Sequence, residues 1–446
     1  MTTLLQAPAG WPSILLERVV SGDGGAAEPL RLKKAARAGA FEGLRRAVRD
    51  LGSAGTIALV AASGLRGRGG SGFPTGDKWR ACATTDAPRR YVVANGYSAD
   101  PAARGDLELM ERDPYAVIEG AAIAAFAVGA GEAIVAVRAE ATAAIASLTR
   151  AITEATAAGH VGPDALGSGQ SIAISLRTVQ GAYMLGEETV LLKALEGRRG
   201  QPEQRPPHPA VSGLSDLPTI VQNVQTLAAA AWILRKGPDA FRESGSADSP
   251  GTILVTIRGS AGDGVAEVPL GTPLREVVRL AGRPTAGRTL KAVLVGGPSG
   301  GILPPEVLDT AYDFGPLRAA GAHVGSGSVV AADDRACVVD LARLLTRFCA
   351  DEACGKTIPC RIGTRRLLEI GDRIAEGRPR PDDPVLLADL AADIVGSGLC
   401  DHERLATLPF TSGLRYFRAE LDAHILHSSC PAGVCRPISV AAAAAT

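Results

Sequence analysis

Residues Gly64–Trp79 read GLRGRGGSGFPTGDKW, and this glycine-rich stretch is the most informative part of the chain. Glycine tolerates positive φ and lets a ligand approach the backbone, so a run of glycines can direct several N–H groups at one anion. Arginine and lysine side chains add positive charge. The stretch predicts a phosphate-binding loop, with a glycine-rich surface turn as the alternative. Its candidate ligand-binding residues are Gly64, Arg66, Gly67, Arg68, Gly69, Gly70, Gly72, Phe73 and Lys78.

The segments on either side of this loop indicate a layered α/β fold. Ala54–Ser63 (AGTIALVAAS) is apolar and predicts a strand or a buried helical turn, whereas Arg89–Asn95 (RRYVVAN) predicts a strand. From Gly55 to about Gly237, predicted strands alternate with alanine-rich helices, as expected of an α/β unit.

Composition limits the kinds of partner that the chain can have. Lys plus Arg and Asp plus Glu both number 47 in 446 residues, so no net charge attracts nucleic acid or an anionic membrane, and neither partner is expected. The most apolar run, Ala121–Val137, contains two glycines and a glutamate and predicts buried helix and strand instead of a membrane span. Residues 1–20 lack the pattern of a signal peptide. We therefore expect a cytoplasmic, reducing location, where the eight cysteines act as thiols or metal ligands.

Gly64–Trp79 is similar to the flavin-binding loop of the NADH-binding flavoprotein subunit of respiratory complex I. That family also includes NAD-dependent hydrogenase and formate dehydrogenase subunits, and the resemblance extends over roughly Phe41 to Ile425. It implies an FMN-binding α/β domain, a β-grasp (SLBB-like) module and a C-terminal helical bundle with an iron–sulfur site. The other matching segments, in the family's order, are Ala182–Pro202, Arg205–Ala228, the GGPSGG turn at Gly296 and the cysteine region after Glu352.

The resemblance and the changes of pattern along the chain together predict five segments. Gly22–Glu28 is expected to be a linker within the first of them, and Ala441–Ala445 a disordered run within the last. The segments are an N-terminal arm and helix (1–54), the FMN/NAD-binding α/β domain (55–240), the β-grasp module (241–325), the helical iron–sulfur domain (326–428) and a C-terminal tail (429–446).

The resemblance implies further flavin-site residues outside the glycine-rich stretch. Two of them, Glu187 and Glu188, stand where a helix begins, so ordinary helix capping also accounts for them. The set implied by the family is Asn95, Asp100, Tyr183, Gly186, Glu187, Glu188, His208, Gln222, Asn223 and Thr226.

One acidic segment of the family is altered in this chain. The family reads Asn-Ala-Asp-Glu-Gly-Glu-Pro, whereas this chain reads NGYSADP from Asn95. The carboxylates that bind the flavin ribityl chain and approach the nicotinamide are thereby replaced by Tyr97, Ser98 and the shorter Asp100.

The aromatic rings that stack on the NADH adenine in the family are altered as well. Ala81 and His208 stand in their places, and Phe73 alone keeps its ring. Each lost hydrogen bond or stacking contact is worth about 1–2 kcal/mol, and about 1.4 kcal/mol corresponds to a tenfold change in affinity. We therefore expect FMN binding to persist through the phosphate loop and NADH binding to be weakened by orders of magnitude.

Three cysteines are the candidate iron–sulfur ligands. The family carries Cys-x-x-Cys-x-x-Cys and a distant fourth cysteine around a 4Fe-4S cluster; here Cys354, Cys360 and Cys400 remain, and Thr357 occupies the middle position. A hydroxyl replaces a thiolate poorly as a cluster ligand. The sequence therefore favours a 3Fe-4S cluster or a 4Fe-4S cluster with one labile iron. The alternative is that the cluster has been lost and the cysteines remain as buried thiols.

A second pair of cysteines lies near the end of the sequence. Cys430 and Cys435 follow His424 and His427, and a zinc-like ligand set would form if a fourth group completed it. A surface thiol pair and a docking tail for a partner are the alternatives.

The resemblance implies hydride transfer from NADH to FMN, followed by single-electron transfer to an iron–sulfur centre and on to an iron–sulfur partner subunit or a ferredoxin. It places the chain in the cytoplasm, attached to a membrane only through a complex and not by direct insertion. Two other functions stay open. One is an FMN/iron–sulfur relay that no longer uses NADH, which the altered acidic segment favours. The other is a non-catalytic scaffold, which Thr357 favours.

Overall fold

The computed structural model describes residues 2–20, 29–259, 262–282 and 284–435, and by internal contacts the chain divides into two units. The predicted linker at 22–28 and the predicted disordered run at 441–445 lie outside the described residues. The five predicted segment boundaries stay a prediction. The first unit comprises Met1–Thr256 and Val265–Thr272, and the second comprises Ile257–Gly264 and Pro273–Thr446.

A parallel four-stranded sheet forms the framework of the first unit. Its strands are β1 (Tyr91–Gly96), β2 (Glu132–Arg138), β3 (Ala173–Val179) and β4 (Thr219–Asn223), in the order β3-β2-β1-β4. The predicted strand at 89–95 is confirmed as β1, and the α/β fold class is confirmed with it. In β1, Val92 and Val93 are both fully buried, as expected of a parallel strand that is covered on both faces.

Helices surround this sheet. The segment 54–63, for which a strand or a helix was predicted, is helical and belongs to α4; a π-helical turn, Ala47–Leu51, leads into it. The helices of the first unit are α1 (Glu17–Val20), α2 (Leu32–Arg37), α3 (Glu42–Arg46), α4 (Gly52–Ala62), α5 (Thr75–Thr84), α6 (Gly105–Arg112), α7 (Pro114–Val128), α8 (Thr142–Ala157), α9 (Glu188–Leu195), α10 (Val224–Lys236) and α11 (Pro238–Arg242).

Helix α7 is buried along its whole length. The Asp113 side chain accepts a hydrogen bond from the Ala116 N–H at its start, Pro114 occupies the first turn, and Gly129 ends it with a φ of 70°. Together with β2 it accounts for the predicted buried helix and strand at 121–137. Among the described residues, no helix combines the length and the apolar character needed to cross a bilayer.

Helices α7 and α10 approach each other at Gly120. A Cβ atom at that position would lie 2.0 Å from the carbonyl oxygen of Leu227, far inside van der Waals contact. The absence of a side chain therefore sets how closely the two backbones pack.

An acidic side chain anchors the N-terminal arm to the first unit. The carboxylate of Glu267 accepts hydrogen bonds from the N–H groups of Ile14, Leu15 and Leu16 at 2.7–2.9 Å, and from the Thr252 hydroxyl. Burial raises the pKa of Glu267, although these hydrogen bonds act in the opposite direction. One carboxylate thus satisfies three backbone donors of the arm.

A second sheet has five strands in the order β6-β5-β9-β7-β8. Strand β7 is antiparallel to both β8 and β9, and the predicted turn at Gly296 lies between β7 and β8. The elements of this region are β5 (Thr252–Gly259), β6 (Gly262–Pro269), α12 (Leu274–Arg279), β7 (Leu290–Val295), β8 (Gly301–Leu303), α13 (Phe314–Ala319) and β9 (Ser328–Asp333).

The chain after β9 is helical, which confirms the predicted C-terminal helical region. Leu367, Ile374 and Leu387 are fully buried in its core, and Phe410 and Leu421 pack with them. Its helices are α14 (Val338–Asp351), α15 (Thr364–Ala375), α16 (Asp383–Ser397), α17 (Asp401–Leu405), α18 (Leu408–Tyr416) and α19 (Arg418–His427), with a π-helical turn at Pro359–Gly363.

Candidate functional site

The order of the parallel sheet locates a ligand site. From β1 the chain proceeds outward to β2 and β3 on one side and returns to β4 on the other, so the topology switches between β1 and β4. In open parallel sheets, ligands bind at the carboxyl ends of the strands at such a switch. Asn95 of β1 and Asn223 of β4 are register partners at this edge. Two of the predicted flavin-site residues therefore lie side by side at the expected position.

The glycine-rich loop joins α4 to α5 and reaches the same edge. Gly70 and Gly72 have φ values of 113° and 65°, a region that glycine enters without strain. A Cβ atom on Gly69 would lie 3.3 Å from the Cβ atom of Asn223, so the loop lies directly against the end of β4. Within the loop, the Gly67 N–H donates to the carbonyl oxygen of Phe73 at 2.9 Å.

The two arginines of the loop hold it in place. Arg68 is fully buried, and its guanidinium donates to the carbonyl oxygens of Thr252, Pro250 and Arg66 at 2.5–2.9 Å. Its backbone N–H donates to the Thr226 hydroxyl at 2.8 Å. Arg66 donates through Nε to the carbonyl oxygen of Gly72 within the loop. Sequence reasoning assigned both cations to the ligand, whereas the structure turns both side chains toward main-chain carbonyls.

Lys78 lies in the first turns of α5 with a partly exposed ammonium group. Its Nζ atom donates to Glu188 at 2.8 Å and to the carbonyl oxygen of Val221 at 3.1 Å, and Arg205 donates to the same Glu188 carboxylate at 2.9 Å. Burial alone would raise the pKa of Glu188, but Lys78 and Arg205 outweigh it and the pKa is lowered. The half-exposed ring of Phe73 has its centroid 6.0 Å from the Lys78 Nζ atom.

Glu187 is a helix-capping residue, as its position at the start of a predicted helix suggested. It caps α9, accepting from the N–H groups of Thr189 and Val190 at 2.9 Å, and its burial raises its pKa. The 3₁₀ turn Tyr183–Gly186 precedes it, and the Asn95 side-chain amide donates to the carbonyl oxygen of Gly186 at 3.3 Å.

Asn223 is oriented by an acid that sequence reasoning missed. Asp106 in α6 accepts from the side-chain amides of Asn223 at 2.8 Å and Gln225 at 2.7 Å, while Asn223 also caps α10 by accepting from the Gln225 N–H. Burial raises the pKa of Asp106 to about 6, against the lowering effect of these two amides. The neighbouring Gln222 is buried and accepts from the indole N–H of Trp79 at 3.3 Å.

The altered segment after β1 is used for internal contacts. The Tyr97 hydroxyl donates to the carbonyl oxygen of Gly181 at 2.6 Å, and the Asp100 carboxylate accepts from the Ala102 N–H at 2.8 Å. Ser98 has a φ of 51°, and its buried hydroxyl has no hydrogen-bond partner among the described residues. His208, another altered position, is exposed.

These features fit a bound FMN. Helix α10 begins at Asn223, and helix N-termini favour phosphate because of their free N–H groups and dipole. Gly69 of the loop lies so close to the end of β4 that a side chain there would press against Asn223, and Lys78 supplies positive charge. The residues that would hold the flavin are the loop from Gly64 to Phe73, Lys78, Asn95, Asn223 and Thr226.

The three predicted iron–sulfur ligands lie in the second unit. Cys360 and Cys400 are buried and Cys354 is partly exposed. A hydrogen bond with the Cys360 thiol lowers the pKa of Cys354 and raises that of Cys360, so one thiolate is favoured in the pair. The Thr357 hydroxyl donates to the Glu403 carboxylate at 2.6 Å. The thiols of Cys354 and Cys360 contact each other, and the bond to Glu403 links their loop to the segment that carries Cys400. Thiols are the ligands that iron–sulfur clusters require, so the donor types fit such a cluster.

The structure completes the second set of metal ligands. Cys430, Cys435 and His424 converge, which is one of the arrangements that the sequence left open. The exposed His427 does not join them, and Cys337 provides the fourth group. All four ligand atoms lie within 4.8 Å of one another.

The distances within this set are those of a tetrahedral zinc site. The Sγ atom of Cys337 lies 3.5 Å from Nε2 of His424 and 3.6 Å from Sγ of Cys435. Thiolates about 2.3 Å from zinc in tetrahedral geometry would be about 3.8 Å apart. The Nδ1–H of His424 donates to the carbonyl oxygen of Glu420 at 2.8 Å, which leaves Nε2 available for the metal.

Substituting Cys337 with serine is expected to remove this metal. Wild-type protein purified with zinc present should contain about one zinc ion per chain, because four soft ligands close the coordination shell, and the Cys337→Ser variant should contain almost none. Elemental analysis measures this. Cys349→Ser is the matched control, since Cys349 is a buried thiol outside the set, in the helix α14 that Cys337 caps. Equal zinc in both variants would contradict the assignment.

Two family models match the chain. Residues 60–232 match the Nuo51 FMN-binding domain, and residues 340–424 match the iron-sulfur binding region of NADH-ubiquinone oxidoreductase F. The first range contains the glycine-rich loop, β1 and β4. The second contains the three candidate cluster cysteines.

Individual proteins match over nearly the whole chain. The F subunit of the NADH-quinone oxidoreductase of Streptomyces coelicolor is 39% identical over 432 residues, which are 97% of this chain and 96% of that protein. The NADP-reducing hydrogenase subunit HndC of Solidesulfovibrio fructosivorans is 41% identical over 397 residues, 89% of this chain and 81% of its own length. A crystal structure of an NAD+-reducing [NiFe]-hydrogenase in the H2-reduced state aligns with a TM-score of 0.80 and 31% identity, covering 95% of this chain and 68% of the hydrogenase chain.

Proposed function

Because this chain belongs to the family of NADH-quinone oxidoreductase F subunits, we propose that it oxidises NADH and passes the electrons to an iron–sulfur centre. The observation that carries the proposal is the convergence, at the switch point between β1 and β4, of the glycine-rich loop, the N-terminus of α10 and the Asn95–Asn223 pair.

FMN, when bound, supplies the capacity to accept a hydride from NADH and to release electrons one at a time. The protein supplies position and electrostatics. The loop amides and the start of α10 would hold the phosphate, and Lys78 adds a cation that Glu188 keeps in place. Hydride transfer requires no protein acid or base, so the contribution of the chain is to orient the two rings.

A second function is favoured by one observation. Tyr97 and Asp100 stand where the family has carboxylates, and both are engaged in internal hydrogen bonds. A flavin and iron–sulfur relay that receives electrons from a protein partner would need no nicotinamide site. Tyr97 therefore favours this relay as the alternative to NADH oxidation.

The proposal includes partners and a cellular location. No disulfide joins any of the eight cysteines, all of which lie in the described part of the chain, and this is usual in a reducing compartment such as the cytoplasm. Two of the proteins to which the chain is similar are subunits of larger enzymes, one of a quinone oxidoreductase and one of a hydrogenase. We infer that the chain works with an iron–sulfur partner subunit or a ferredoxin, and that any attachment to a membrane is through such a complex.

The visible absorption spectrum of the purified protein, recorded anaerobically before and after NADH is added, tests the function. We expect a flavin band that bleaches with NADH. NADPH at the same concentration is the control for nucleotide preference. A band that persists with NADH but bleaches with reduced ferredoxin would contradict NADH oxidation and select the relay. Protein that neither contains nor binds flavin would select the scaffold.

A further inference from the structure

The polar contact between Thr357 and Glu403 joins the two segments that carry the three candidate cluster cysteines. Thr357 is between Cys354 and Cys360 in the chain, and Glu403 is one helical turn after Cys400 in α17. The hydroxyl of Thr357 donates to Oε1 of Glu403 at 2.6 Å, so this bond ties the two cysteine-bearing segments together.

Glu403 is an acid in a costly position. It is 0% exposed, and its Oε2 atom accepts from the Leu399 N–H at 2.8 Å, so both of its donors are uncharged groups. Burying a carboxylate against neutral donors alone is unfavourable, since an ionised group out of water requires an opposite charge or a metal. Gly398 makes room for it, because a Cβ atom there would lie 3.1 Å from Oε2.

The negative charge of Glu403 bears on the thiols of Cys354 and Cys360. Its carboxylate is bound to the hydroxyl of Thr357, which is three residues from Cys354 and three from Cys360, so a like charge lies beside the loop that carries these two thiols. A carboxylate next to two thiolates is repelled by them unless a cation lies between them. An iron–sulfur cluster supplies that positive charge.

A four-iron cluster in this chain lacks one ligand and one negative charge, and Glu403 could supply both. Three cysteines bind three irons of a four-iron cluster, and Thr357 offers only a neutral hydroxyl to the fourth. A carboxylate carries the same single negative charge as the thiolate that is missing. An ionised carboxylate has about four acceptor sites, of which the Thr357 and Leu399 bonds use two, so lone pairs remain for a metal.

We propose that Glu403 is the fourth ligand of a four-iron cluster in this chain, binding through a carboxylate oxygen where the family has a cysteine, with Thr357 orienting it. This inference rests on the proposed function, since it requires the cluster. Of the two cluster types that the sequence left open, it selects the four-iron cluster. One iron then has a hard oxygen ligand and differs electronically from the other three.

The test counts iron in the full chain after anaerobic reconstitution. Wild-type protein is expected to hold about four irons and four sulfides, and Glu403→Gln about three irons, because a neutral amide does not retain the fourth. Asp401→Asn is the matched control: it removes one negative charge from the same helix, but Asp401 is exposed, and the variant should keep the wild-type iron count. Mössbauer spectra should show one distinct iron site in the wild type alone.

A double variant distinguishes the loss of a cluster ligand from misfolding of the single variant. Thr357→Cys combined with Glu403→Gln restores the thiolate of the family pattern, so it should recover four irons that are equivalent in the Mössbauer spectrum. Four irons in Glu403→Gln alone, or three in the wild type, would overturn the role of Glu403 and leave the proposed function intact. Wild-type protein that takes up no iron would overturn both this inference and the iron–sulfur part of the function, whereas the flavin response to NADH tests the remainder separately.

Discussion

Gly120→Ala is expected to destabilise the first unit strongly. The new methyl group would lie 2.0 Å from the carbonyl oxygen of Leu227, a backbone atom that cannot rotate away as a side chain would. Helices α7 and α10 would have to separate, and α7 is buried on every side, so surrounding contacts would be lost as well. Overpacking of this kind costs about 1–3 kcal/mol when a core can adjust, and we expect about 4 kcal/mol or more here.

Urea unfolding monitored by circular dichroism would measure the change. Gly396→Ala is the control, because Gly396 lies in α16 and has nothing within 4 Å of a new Cβ atom. That variant should gain about 0.5–1 kcal/mol from the higher helix propensity of alanine. A free energy of unfolding for Gly120→Ala within about 1 kcal/mol of the wild type would contradict this prediction, because it would show that α7 and α10 can separate at little cost.

The second large effect is expected for Lys78→Met and concerns flavin affinity. An ammonium group has three donors, and Glu188 and the Val221 carbonyl use two of them, so one remains for a phosphate at the loop. A hydrogen bond between charged groups contributes about 1.5–3 kcal/mol, which corresponds to a rise in Kd of roughly 10- to 150-fold. The substitution also leaves the Glu188 carboxylate with one cation fewer.

Fluorescence titration of the flavin-free protein with FMN gives the Kd. Arg80→Met is the matched control, because Arg80 is in the same helix α5, carries the same charge and pairs with the exposed Asp77. Screening by water makes its long-range effect small. If the two variants weakened FMN binding equally, Lys78 would act through net charge alone and would not contact the phosphate.

The strand and loop at the flavin site were predictable because their signals are local. Glycine content marks a loop that must approach another chain segment closely, and the apolar run RRYVVAN marks a buried strand. The strand order β3-β2-β1-β4 was not predictable in this way, since it depends on which strands pair across distant parts of the chain. Only that order identifies the edge where Asn95 and Asn223 meet.

Residues whose role depends on distant partners were misjudged or missed. The sequence predicts that Arg68 binds the ligand. In the structure its guanidinium donates to the carbonyl oxygens of residues 250 and 252 and thereby stabilises the loop. In the sequence, Asp106 and Glu403 look like ordinary acids in the first turn of a helix. Their special role is visible only in the structure, where Asp106 accepts from an amide and Glu403 from a hydroxyl of a distant segment. Cys337 was missed because it is 87 residues away from His424 in the chain.

The hydrogen bonds of Glu267 have a consequence for the order of events on the ribosome. Residues 14–16 emerge first, yet their three N–H groups find their acceptor only when residue 267 has been made. At about 5–20 residues per second, that interval is roughly 12–50 s. During it, the arm cannot occupy its final position, so a nascent chain stopped before residue 267 should leave its first residues open to proteases, and the completed chain should protect them.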